Sequence, residues 1–264
     1  MAFGSSFGRL FSPTFQPKSQ AVASSGVWLP TDITGCKVWF DFSDADTLFT
    51  DAGTTKVAND GDAIYQANDK SGNGFNATQS TADNRPKYKT NIQNSKSAGY
   101  GDTNDFMTHS YVLGTATDFT VFAAFSYVTV ANYLGITGAN WSAYNIHTSD
   151  DGTIYAGTDT PNRIVTSSGF VANGTDYIFA FKKSGTSAGN LSLYKNGDSP
   201  IVNTGKTAVN PVSATTEIFH YRGDTNYLKG QIYIYEIIVY DTALSDTDRG
   251  KVETYLNNKW AIYS

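Results

Sequence analysis

QIYIYEIIVY, residues 231–240, is the stretch whose reading decides the fold. Read with the period of two that a strand imposes, Ile232, Ile234, Glu236, Ile238 and Tyr240 share one face, and Tyr233, Tyr235, Ile237 and Val239 the other. Both faces are largely apolar, which predicts a central strand within 227–240 that is covered on both sides. FTVFAAFSYV, residues 119–128, is a second run of this kind. Near the start of the body, Val38, Phe40 and Phe42 alternate with Lys37, Trp39 and Asp41. Further strands are expected over 141–147, 153–156, 176–182, 190–195 and 217–221. Turn signals separate them at Asp151-Gly152, Asn173-Gly174, Asn196-Gly197 and Arg222-Gly223-Asp224. Ten or more strands without an intervening helical pattern predict two packed sheets, an all-β sandwich.

Composition points the same way. Hydrophobic residues make up 40% of the 264, charged residues 16% and aromatics 14%, the balance of a chain that buries a large core. Of 24 acidic residues only Glu217, Glu236 and Glu253 are Glu; the rest are Asp, which suits turns and caps better than helix interiors. A net charge of −5, with Lys and Arg scattered, argues against nucleic acid as a partner. No apolar run is long enough to span a membrane. The opening MAFGSSFGRLFSPTF lacks a continuous apolar core and does not read as a secretory signal. Cys36 is the sole cysteine, so no internal disulfide is expected.

One helix is expected near the end. Ser245 caps it, with Asp248 three residues on, and Val252, Tyr255, Leu256, Lys259 and Trp260 follow at helical spacing. Residues 1–30 form a segment apart, an N-terminal arm before the body at 31–264. It has no acidic residue, is broken by Gly4, Gly8, Pro13 and Pro17, and carries Phe3, Phe7, Phe11 and Phe15 every four residues. Four rings on one side of such a segment cannot bury themselves, so the arm reads as a docking device for a partner.

Three stretches carry a resemblance. FDFSDADTLFTDAG with NDKSGNGFNATQSTADNRPKY, the hairpin LSLYKNGD, and ALSDTDRGKVETYLNNKW after the last strand together frame residues 36–264. They are similar to laminin-G-like, concanavalin A-like jelly-roll domains. IYQANDKSGNG departs from the pattern by lacking the Trp usual before this turn. The resemblance implies a jelly-roll β-sandwich with one short C-terminal helix, of the kind found in bacterial surface adhesins and in structural proteins of tailed phages.

Chemistry on this fold would need paired carboxylates for glycoside hydrolysis. The three Glu fall in three separate elements, and Glu236 has no acidic neighbour at strand spacing, so it reads as a sheet residue bonded to Tyr or backbone. No Ser stands in a G-x-S-x-G elbow, and no catalytic residue is assigned. Asp69, Ser71, Asn73 and Gly74 match the opening of a calcium loop, but Ser80 stands where the closing acid belongs. An Asx-rich turn is the simpler account. No metal ligand is assigned, and calcium is the one cofactor the spacing admits. For ligand recognition the candidates are Trp141 and Tyr144, in GANWSAYNIH beside Asn140 and Asn145, and Arg163 in a second polar loop.

The expected function is a non-catalytic virion protein of a tailed phage, assembled in the host cytoplasm. The arm would dock on capsid or tail proteins in a symmetric, multi-copy assembly. The sandwich would be displayed outside as decoration or fibre, with cell-surface glycan as a further partner. A carbohydrate-binding module or surface adhesin domain is the alternative, and a glycoside hydrolase the third reading.

Overall fold

The computed structural model describes residue 1 and residues 27–112, 118–138, 144–157, 163–185, 190–202, 215–219 and 230–264. In chain order the strands are β1 (Cys36–Asp41), β2 (Leu48–Phe49), β3 (Gln66–Ala67), β4 (Ala77–Thr78), β5 (Lys87–Gln93), β6 (Lys96–Asp102), β7 (Met107–His109), β8 (Phe119–Thr129) and β9 (Leu134–Gly138). They continue with β10 (Asn145–Thr148), β11 (Ile154–Gly157), β12 (Arg163–Val165), β13 (Asp176–Lys183), β14 (Leu191–Lys195), β15 (Ile201–Val202), β16 (Thr216–Ile218) and β17 (Gln231–Tyr240). One α-helix, α1 (Asp246–Trp260), follows β17.

The strands form two antiparallel sheets. The first runs β15-β14-β13-β8-β17-β6-β5, with β1 also on β17, and the second runs β12-β11-β10-β9-β16-β7-β4-β3-β2. The two long apolar runs of the sequence, β8 and β17, lie side by side in the first sheet. Beyond β8, β17 has two partners on its other flank: β6 along its first half and β1 along its second. Val121, Ala123 and Phe125 of β8 face the second sheet, while Phe122 and Ala124 face away into a separate apolar layer. Both faces are thus covered, as the unbroken apolar run requires.

The alternation in β17 differs from a strict period of two. Its register with β8 slips between Ile234 and Glu236, leaving Tyr235 as the extra residue of a β-bulge. Ile232 and Ile234 face the second sheet before the bulge, and Ile237 and Val239 face it afterwards. Tyr235, Glu236, Ile238 and Tyr240 all turn to the opposite face.

That face is closed by α1. The Ser245 hydroxyl accepts from the Asp248 amide at 3.1 Å and fixes the helix start. Val252, Leu256 and Trp260 are fully buried against the sheet, each gaining about 1.5–3 kcal/mol of hydrophobic burial. The Trp260 ring stacks on Tyr235 with centroids 4.8 Å apart. The Asn257 carboxamide oxygen accepts from the amides of Ile262 and Tyr263 and closes the last turn. Trp28 packs on Tyr255 at 5.8 Å, and the Tyr240 hydroxyl donates to the Pro30 carbonyl, so the chain has joined the body by Trp28. Among the described residues no helix is long and apolar enough to cross a membrane.

Among the described residues, one histidine lies between the sheets with no hydrogen bond. His109 of β7 is 3% exposed, its ring 5.4 Å from Phe40, and neither ring nitrogen has a partner among the described residues. Burial lowers its pKa to about 4, from 6.5. Below pH 6.5 the unfolded chain therefore takes up a proton that the folded chain resists. The His109 contribution is constant above pH 6.5 and turns against the fold as pH falls towards 4. Replacing His109→Leu should remove this dependence. Relative to the wild type, the variant should gain up to about 3 kcal/mol between pH 7 and pH 4 in urea unfolding. An unchanged difference across that range would show that His109 does not resist protonation.

Candidate ligand-binding face

Glu236, which the sequence marks as a sheet residue bonded to Tyr or backbone, is completely enclosed by the fold. Each of its oxygens meets two donors. Oε1 accepts from the Trp39 indole at 2.6 Å and the Tyr255 hydroxyl at 2.8 Å. Oε2 accepts from Lys259 Nζ at 2.8 Å and the Trp260 indole at 3.0 Å. Asp41 lies directly across the β1–β17 pair from Glu236, and Lys259 Nζ reaches it too, at 2.7 Å. Two like charges facing each other across a ladder repel; the ammonium from the last helical turn sits between them. Lys70 completes the network, 2.9 Å from Asp41 and 2.6 Å from Asp44, over the Trp39 ring. Burial pushes the Asp41 carboxyl up, but Lys259 and Lys70 outweigh it and hold the group below its ordinary value. Burial and the neighbouring Asp41 push Glu236 up, against the pull of Lys259 and Tyr255. With every oxygen engaged and no solvent contact, this carboxylate clamps the helix to the sheet and is closed to substrate.

The Asp69 loop is likewise engaged by the protein itself. One Asp69 oxygen accepts from the amides of Trp39 and Ser71, the other from the Ser71 hydroxyl and the Phe75 amide. Ser71 and Asn73 donate to the carbonyls of Lys37 and Cys36, so the loop is a clasp on β1. Among the described residues no three His, Cys, Asp or Glu side chains converge as a metal site would require.

The second sheet presents a different surface. Its strands pair so that Gln66, Thr78, Thr108, Glu217, Gly138, Asn145, Gly157 and Arg163 follow one another across eight strands. Met107, Ile146, Ala156, Ile164 and Ile218, their chain neighbours, point inward to the core. The row therefore lies on the outer face, which no described element covers. Gly138 and Gly157 interrupt it on either side of Asn145. A Cβ on Gly138 would stand 2.5 Å from the Asn145 oxygen, and Gly157 holds φ at 138°, so neither position readily takes a larger residue. Arg163 and Glu217 are four strand spacings apart, about 19 Å.

Beside this row runs an aromatic ladder. His147 stacks on Tyr155 at 5.2 Å and on Tyr133 at 5.9 Å, and the Arg163 guanidinium lies 4.3 Å from the Tyr155 ring centre. His147 and Asn145 are buried and form the floor, while Tyr155 and Arg163 are half-buried and reach solvent. A stacked ring and a guanidinium edge beside amide, hydroxyl and carboxylate groups can hold a ligand with alternating apolar and hydroxylated surfaces.

Of the three ligand candidates in the sequence, the structure places Arg163 on this face. Tyr144 is a correction: it is 2% exposed and packs on Phe119 at 5.3 Å. Burial pushes its phenol pKa up. Asn145 faces outward, and the residue before it in a strand must point inward. Trp141 and the arm residues Phe3, Phe7, Phe11 and Phe15 lie outside the described residues. Sequence reasoning missed Tyr155, His147, Thr108 and Glu217. The alternation of NIHT and IYAG was the signal for the first two, since it sets His147 and Tyr155 opposite the core residues Ile146 and Ile154.

No family model matches the chain, and no curated protein does. Solved structures do match it. Trypanosoma rangeli sialidase in complex with sialic acid is 11% identical with a TM-score of 0.57, covering 86% of this chain and 33% of that one. The binding domain of Paraclostridial Mosquitocidal Protein 1 is 13% identical with a TM-score of 0.59, covering 88% and 53%. Domain 4 of AbnA, a GH43 extracellular arabinanase from Geobacillus stearothermophilus, in complex with arabinotriose, is 14% identical with a TM-score of 0.54, covering 83% and 98%. The chain thus spans about a third of the sialidase and about half of the mosquitocidal binding domain. At such identities the likeness is one of fold, and it bears out the all-β sandwich.

The Glu236 clamp has a measurable consequence. Glu236→Gln replaces a carboxylate facing four donors with an amide that has one acceptor oxygen, leaving Lys259 and an indole short of partners. The fold should lose about 3 kcal/mol in chemical unfolding. A loss below about 0.5 kcal/mol would mean that the network does not hold the helix in place.

Proposed function

We propose that this chain is a non-catalytic saccharide-binding module whose ligand lies across the outer face of the second sheet. The observation that carries the reading is the polar row from Gln66 to Arg163, flanked by the Tyr155–His147 ladder, on the sheet face that the helix leaves uncovered. A guanidinium plane and the edge of the Tyr155 ring pack against the C–H faces of a sugar, and the amide, hydroxyl and carboxylate groups of the row exchange hydrogen bonds with its hydroxyls. The length of the row suits an extended oligosaccharide better than one ring. Support also comes from the similar arabinanase domain solved with arabinotriose and the similar sialidase solved with sialic acid. The enclosure of Glu236 supports binding without turnover.

Retention of the full chain on an array of immobilised oligosaccharides tests the proposal. Tyr155→Ala should weaken retention about tenfold through loss of ring stacking, with the melting temperature little changed. Thr254→Ala, on the helix across the molecule, should leave it unaltered. Failure of every oligosaccharide to bind, or equal binding by a folded Tyr155→Ala protein, would overturn the reading.

The carrier proposed for this module is a tailed-phage particle, with Phe3, Phe7, Phe11 and Phe15 as its attachment. Support for the carrier is the spacing of those rings in a Gly- and Pro-broken segment together with the resemblance of the body. One buried Phe gains about 1.5–3 kcal/mol, and many copies on one particle add avidity. Phe7→Ser with Phe11→Ser should reduce co-sedimentation with particles while the body stays folded. Undiminished co-sedimentation would assign attachment to the sandwich.

A further inference from the structure

The described arginines are used in three different ways. Arg85 donates to the carbonyls of Gln79 and Ser80. Arg249 is paired with Glu253 on the helix. The Arg163 guanidinium lies 4.3 Å from the Tyr155 ring centre and has no carboxylate or carbonyl partner among the described residues; its Nε is buried with no hydrogen-bond partner among them. Such a group is costly in the free protein, because a desolvated donor goes unmet. It is also held in place. The Tyr155 ring packs against it, and β12 is the last strand of the sheet, so Arg163 stands at the sheet's edge. The acid of the same row, Glu217, stands four strands away.

We infer that Arg163 recognises the carboxylate of an acidic saccharide, such as a uronate, taken in a paired, two-point contact at the edge of the second sheet. The inference rests on the saccharide-binding reading and deepens it. A planar fork of N–H donors matches a carboxylate in geometry as well as charge, which an ammonium cannot do. Tyr155 backs the guanidinium on one side and leaves its N–H edge for the anion. The rest of the sugar chain then runs along the outer face of the second sheet.

The test is a titration of the full chain with glucuronate- and galacturonate-containing oligosaccharides, each beside its methyl ester, and with a polyglutamate peptide. The acids should bind about tenfold or more tightly than their esters. Added salt should narrow the gap. Arg163→Gln should close it, the acid falling to the affinity that its own ester has for the same variant, and Arg163→Lys should retain only part of it. Equal binding of acid and ester by the wild type, or a gap that survives in Arg163→Gln, would overturn the inference while leaving the module reading intact. Polyglutamate binding as tightly as the acids would overturn it in favour of an acidic polypeptide. Absence of binding by any acid or ester would remove both.

Discussion

A fully enclosed carboxylate is tolerable only when every lone pair has a donor. Glu236 obtains its donors from two directions: Trp39 from β1, and Tyr255, Lys259 and Trp260 from α1. That requirement ties three parts of the chain together. The helix must arrive at a fixed height and rotation, or Lys259 misses the gap between Glu236 and Asp41. Strand β1 must pair with β17 in the observed register, or Trp39 cannot reach. The β-bulge at Tyr235 must be present, or Glu236 points between the sheets, where no donor waits. Hydrophobic burial supplies the bulk of the stability, but it is non-directional; the geometry of the helix layer comes from this acid.

The two outer faces of the sandwich follow different rules because of it. The first sheet is built from long apolar strands and is sealed by α1 on its far side. The second is built from short strands that alternate, with Ile146, Ile154, Ala156 and Ile164 inward and Asn145, His147, Tyr155 and Arg163 outward. One face is used up in holding the molecule together, and the other carries a row of polar and aromatic groups. Polar side chains aligned across many strands, next to a stacked ladder, are what a recognition surface needs and what a core does not.

Much of this was legible in the residues. The capped helix with Val252, Leu256 and Trp260 on one side, the two central strands, and the alternation of Val38, Phe40 and Phe42 against Trp39 are all as the patterns predicted. The bulge was not, because an extra residue in a strand that is apolar on both faces leaves no break in the pattern. The hairpin of β5 and β6 also escaped. It turns through Asn94 and Ser95 with φ of 48° and 57°, a turn made without glycine. The candidate face could be glimpsed only at Arg163 and Asn145. Its other members come from strands between residues 66 and 217, and their alignment is a matter of register between distant segments. Tyr144 was grouped with Asn145 in GANWSAYNIH, where chain neighbours in an extended segment point to opposite sides.

Strand β17 touches β1, β6 and β8, and the Trp39–Glu236 bond joins residues 197 apart. A sheet whose middle strand comes so late cannot assemble from its beginning. During synthesis β8 and β13 can zip together as soon as both have emerged, but one edge of β8 stays open until residues 231–240 arrive. Non-local pairing of this kind makes folding slow, and an open apolar edge invites pairing with other chains. Residues 231–260 are thus the ones that end the exposure: β17 closes the edge, and the helix that follows it covers its face.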